Sequence, residues 1–116
     1  MRRNLSNTIK DHFTKNEPKE ACGVLVNSNS KVKFIGCKNI SPNLQDFAFC
    51  PDEYIKILLN NEILGIVHNH VQEKNTPSEY DIDNCNVLAK PYYIYSYPTM
   101  ELNILLPKMK LKEVNK

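Results

Sequence analysis

The sequence lacks any C-x-x-C pair, any apolar run approaching 18 residues and any marked excess of one charge. Each absence excludes something. Scattered cysteines (Cys22, Cys37, Cys50, Cys85) do not spell a thiolate zinc site. Free thiols in a reducing compartment are expected, with Cys22 and Cys85 inside. Without a long apolar run no helix spans a bilayer. The polar stretch after Met1-Arg2-Arg3 is no secretory signal core, so a cytoplasmic site of action is expected. Lys plus Arg (15) against Asp plus Glu (13) leaves a net charge of +2, too even to require a nucleic-acid partner. Internal repeats, low-complexity tracts and heptads are missing too.

What remains is 116 residues, 41% hydrophobic and 24% charged, the profile of one globular domain around one core. That domain is expected over 1–106. Residues 107–116, with four lysines and one glutamate, read as a solvated basic tail.

Leu5, Ile9 and Phe13 recur every four residues and predict an amphipathic helix over 4–15. The runs 21–26 and 32–37, joined by Asn27-Ser28-Asn29-Ser30, predict a hairpin. Phe47-Ala48-Phe49 suits a brief edge strand. Pro51 at a first helical position, followed by Asp52 and Glu53, opens a second helix with Ile55, Leu58 and Leu59 as its buried stripe. Residues 63–68 (ILGIVH) form the most buried-looking strand. Thr76, Pro77 and Glu79 fit the N-cap, N1 and N3 of a third helix whose inner face is Ile82, Cys85 and Ala89. Residues 92–97 and 102–106 are two further strands. Tyr93, Tyr95 and Tyr97 share one strand face, where they pack the sheet or line a peptide groove.

The chemistry concentrates around two of the three histidines. His68 and His70, two apart at a strand end, put both rings on one face with Cα atoms about 6–7 Å apart. Ser78 and Asp81, three apart, share a helix face. Two imidazoles and a carboxylate leave a fourth tetrahedral position open, as catalytic zinc requires. Each feature alone has an ordinary explanation: H-x-H as packing histidine, Asp81 as an exposed helix acid, Ser78 as a local backbone bonder. Glu20, at the head of the first strand, is the candidate base, although by pattern it is only a strand-end glutamate.

Glu20-Ala21-Cys22-Gly23-Val24-Leu25, Gly65-Ile66-Val67-His68-Asn69-His70 and Thr76-Pro77-Ser78-Glu79-Tyr80-Asp81 together resemble the JAMM (MPN-type) zinc metallopeptidases. The shared pattern is a glutamate, then H-x-H, seven residues, a serine, two residues and an aspartate. The resemblance covers roughly residues 5–106. It implies an α/β (α+β) fold with a central mixed sheet flanked by helices, similar to cytidine deaminases. It also implies Zn2+ held by His68, His70 and Asp81. Glu20 would move a proton from the attacking water to the leaving amine, and Ser78 would donate to the developing oxyanion. The product is a cleaved peptide or isopeptide bond. Within the family the Pro-Ser-Glu-x-Asp run, Cys85 and Pro91-Tyr92-Tyr93-Ile94 look most like the front domain of phage tail assembly proteins, here in a stand-alone version. That resemblance points to peptide or peptidoglycan stem-peptide substrates and to phage tail proteins as partners, in the host cytoplasm or on the virion tail. Asn69 and Val71 stand where the family has a small hydroxyl residue and a proline, and Glu73 in the following loop is a competing ligand candidate.

Two other readings stay open, and a third is disfavoured. A Cys22 thiol paired with either histidine would make a cysteine hydrolase. Deaminase chemistry lacks its H-x-E and P-C-x-x-C pair. A non-catalytic tail-assembly protein would use the metal only to staple the fold.

Overall fold

Leu5, Ile9 and Phe13, each four positions apart, build the first helix, α1 (Arg3–Lys15), which buries Ile9 and Phe13 completely. The structure, a computed structural model, describes residues 3–43, 47–71 and 75–108. The hairpin follows as β1 (Cys22–Ser28) and β2 (Lys31–Cys37), paired from Cys22↔Cys37 to Ser28↔Lys31. Its two-residue turn, Asn29-Ser30, has φ of 52° and 65°, the sign that matches strand twist in a tight hairpin. Then come α2 (Pro51–Asn60), β3 (Glu62–Val71), α3 (Glu79–Leu88), β4 (Tyr92–Tyr97) and β5 (Leu102–Leu105).

The five strands form one mixed sheet in the order β2-β1-β3-β4-β5. Only β3 and β4 run parallel, because α3 carries the chain back between them. On one face α1 lays Ile9 and Phe13 over Ala21, Leu25, Val67 and Tyr95. On the other, Ile57 of α2 and Cys85 of α3 join Cys22, Val24, Val26, Ile66, Tyr92 and Ile94. The result is the expected central sheet flanked by helices.

Several local expectations change. Residues 47–49 make one isolated bridge, Asn39↔Phe49, instead of a strand. In α2 the Tyr54 ring docks on Phe49 at 5.1 Å and turns Ile57 inward, leaving Ile55, Leu58 and Leu59 at 53%, 49% and 79% exposure. β3 runs on past His68 to Val71, because β4 pairs with it as far as Val71↔Tyr97. In α3, Ala89 is the left-handed C-cap, so Asp81, Cys85 and Leu88 make the inner face. Tyr95 and Tyr97 pack edge-on against Phe13, at 5.6 and 6.1 Å between centroids, and Thr14 hydrogen-bonds the Tyr97 hydroxyl at 2.7 Å. That tyrosine face is sheet packing under α1. Lys108 donates its N–H to Asn86 Oδ1 at 2.8 Å. The tail over 109–116 and Glu73 lie outside the described residues.

Candidate metal centre

His68 and His70 stand on the sheet face that α2 and α3 cover, their ring centroids 5.1 Å apart. The antiparallel register sets Cys22 opposite His68, so Glu20, two residues earlier, reaches the same face. Glu20 Oε1 lies 3.4 Å from His68 Nδ1. Asp81 comes from α3, with Oδ1 at 3.0 Å from His68 Nε2 and Oδ2 at 3.0 Å from His70 Nε2. The structure therefore brings together four of the five candidate residues from β1's approach, β3 and α3. None of the four is more than 6% exposed, so their charges have to be answered by one another or by an ion.

The helix cap supplies the fifth residue and aims the fourth. Ser78, not Thr76, is the N-cap, with extended backbone at φ −84° and ψ 168°. Its Oγ accepts from the Asp81 N–H at 3.0 Å, and its own N–H donates to Asp81 Oδ2 at 2.9 Å. Asp81 is thus the N3 partner of a capping box, in the first turn of the helix. The reciprocal bond pulls its carboxylate back over the helix start, toward the histidines. The bond to Asp81 uses a lone pair of the Ser78 hydroxyl and leaves its proton to donate.

Burial works to lower the His68 pKa, but the Asp81 and Glu20 carboxylates outweigh it and raise it to about 9. For Asp81, burial works upward, and the two imidazoles with the Ser78 amide outweigh it, holding the carboxyl far below the usual range. The proximity is not good hydrogen bonding. Both His68 nitrogens are buried, and among the described residues neither has a partner of acceptable angle, despite the oxygens at 3.4 and 3.0 Å. Donor atoms of Glu20, His68 and His70 lie within 4.8 Å of one another. Nitrogen and carboxylate donors converging on a buried, badly bonded imidazole fit Zn2+.

The Cys22 thiol does not fit a nucleophile. It is fully buried, its Sγ faces the Cys37 and Lys38 carbonyls at 3.9 and 3.8 Å, and burial with Cys37 beside it keeps it protonated. Asn39 carried no signal of its own in the sequence, and Phe47 and Asn69 were visible without their roles here. Phe47 lays its ring against His68 at 4.6 Å. Asn39 and Asn69 bond the backbone around Glu20. A polar residue between two histidines was visible, but its direction was not.

Residues 3–105 match the prokaryotic homologs of the JAB domain. The chain belongs to that family. The chain is 28% identical over 112 residues to the tail tip assembly protein K of Escherichia phage N15, covering 96% of this chain and 46% of that protein. The chain thus spans about half the length of this curated relative. Among solved structures, a protein from Desulfitobacterium hafniense superimposes with a TM-score of 0.69 at 21% identity, over 90% of this chain and 80% of that one. A JAB1/MPN domain protein from Archaeoglobus fulgidus gives 0.60 at 21% identity, over 91% and 85%. A structure described as JAMM, a metalloprotease-like zinc site in the proteasome and signalosome, gives 0.51 at 22% identity, over 93% and 94%. These likenesses establish that the JAB fold is shared.

Proposed function

We propose that this JAB domain is a zinc-dependent hydrolase that cleaves an amide bond, peptide or isopeptide, in phage tail assembly or in the cell-wall stem peptides. One observation carries the reading: both nitrogens of the buried His68 face carboxylates at 3.0 and 3.4 Å without acceptable hydrogen bonds. His68, His70 and Asp81 would hold the ion, with Asp81 oriented by its own helix cap. Zinc supplies, when bound, Lewis-acid polarisation of a carbonyl and a water acidic enough to react near neutral pH.

The remaining steps belong to the chain's own side chains. Glu20 accepts a proton from the attacking water and returns it to the departing amine nitrogen. The Ser78 hydroxyl donates to the carbonyl oxygen as it gains charge; losing one such donor costs roughly 10²–10³-fold in rate. The Phe47 and Tyr92 rings, 4.6 and 5.8 Å from His68, help exclude bulk water from that imidazole. Tail proteins and peptidoglycan stem peptides are the substrates to test, on the strength of the tail tip relative.

The deciding experiment is Glu20→Ala, assayed for zinc content and amide hydrolysis together. The expected outcome is one zinc per chain at saturating metal, with turnover lowered by about 10²–10⁴-fold. Zinc-loaded wild type that cleaves neither substrate class would favour a tail-assembly protein whose metal only staples the fold.

A further inference from the structure

The peptide group joining Glu20 to Ala21 is gripped at both of its polar atoms. Its carbonyl oxygen accepts from Asn39 Nδ2 at 2.7 Å, and its N–H donates to Asn69 Oδ1 at 2.7 Å. The two side chains come from opposite sides, 19 residues after Glu20 and 48 after Ala21, and both are buried. Asn69 sits between His68 and His70, and its own N–H donates to the Ala21 carbonyl at 3.3 Å. Asn39 is fixed in turn, since its Oδ1 accepts from the Ser41 and Ala48 N–H groups at 2.9 and 3.1 Å. Ala48 follows Phe47, whose ring lies on His68.

A peptide plane held at its oxygen and its N–H cannot rotate, which anchors the Glu20 Cα and narrows the directions in which its side chain leaves the backbone. As a stabilising device Asn69 is a poor one, because its Nδ2 is fully buried without a hydrogen-bond partner among the described residues. What it supplies is geometry. We propose that Asn39 and Asn69 are positioning residues that clamp the Glu20–Ala21 peptide and thereby hold the Glu20 carboxylate against the histidine pair. The inference rests on the metallohydrolase reading of the site. It extends that reading to residues that touch neither metal nor substrate, where a misplacement of about 1 Å is enough to cost on the order of 10²-fold in rate.

The test is a double-mutant cycle read on zinc affinity, by competition with a chromogenic chelator, in the full chain. Glu20→Gln removes a charge beside the ligands and should weaken zinc about 10-fold in the wild-type background. With Asn69→Val the carboxylate is released, and the same Glu20→Gln change should then cost less than about 3-fold. In parallel, the Ala21 amide should lose hydrogen-exchange protection in Asn69→Val. If that variant does not fold, Asn39→Asp carries the same cycle, because it keeps Oδ1 for Ser41 and Ala48 while setting an oxygen against the Glu20 carbonyl. Equal Glu20→Gln factors in both backgrounds would overturn the clamp, since a purely structural asparagine moves the melting temperature without that coupling. Zinc binding without hydrolysis overturns the enzyme reading alone, the cycle still deciding the clamp. A wild type that binds no zinc overturns both.

Discussion

The two faces of the sheet are built from the same strands by different physics. Under α1, Ile9, Phe13, Leu25, Val67 and Tyr95 close a seam held by apolar burial and ring contacts. Under α2 and α3 the seam is equally dry, yet one end of it contains Glu20, His68, His70 and Asp81. The first face owes its stability to area and shape, which neither protons nor ions alter. The second holds buried charges whose balance depends on what sits between them. A single alternation along β3 separates the two, with His68 and His70 on one side and Val67 and Asn69 on the other.

The contrast can be broken most severely from the α1 side. Phe13→Ala should destabilise the protein by about 3–5 kcal/mol, read by denaturant unfolding, while zinc stoichiometry of the folded fraction stays unchanged. Loss of zinc in the folded fraction would show that the two faces are not independent. On the other side, zinc at a hundred times its dissociation constant should stabilise the wild type by about 2.7 kcal/mol. His68→Ala should abolish that increment. An undiminished zinc shift in His68→Ala would remove His68 from the ligand set.

Acidity sharpens the same comparison. The His68 pKa is raised from 6.5 to about 9, so in metal-free protein its contribution is complete below about 6.5 and is lost as pH rises through about 9. Asp81 is shifted the other way, so its contribution is present above its unfolded value and is lost only in strong acid. Melting temperature in chelator should therefore fall between pH 6.5 and 9, and zinc should flatten that fall by replacing the proton. A chelated protein with no such decline would mean the histidine cluster does not hold that proton. The smallest effect is expected at Leu59, 79% exposed on α2: Leu59→Ser should shift stability by no more than about 0.5 kcal/mol. A larger loss would show that Leu59 is covered in solution.

Legibility in the sequence followed the range of the interaction. The helix over 4–15, the hairpin and the β3 core strand were readable because their periods are properties of a few adjacent residues. The α2 stripe was misread because Tyr54 docking on Phe49, a contact outside the helix, sets its rotation. The α3 start was misplaced by two residues. Thr76-Pro77 and Ser78-Glu79 offer competing caps, and the Asp81 carboxylate decides between them. At the site, the pair His68 and His70 and the pair Ser78 and Asp81 were visible as spacings. Glu20 was visible by position as a strand-end candidate base, and the family resemblance supplied its role.

The sequence by itself determined which side chains share a face, since i, i+2 on a strand and i, i+3 on a helix follow from backbone geometry alone. Only the tertiary structure decided that Glu20 meets His68 at 3.4 Å and which of fifteen asparagines grip the peptide behind it. Bonds that join residues 19 and 48 positions apart are formed by chain packing, which leaves no local period to read.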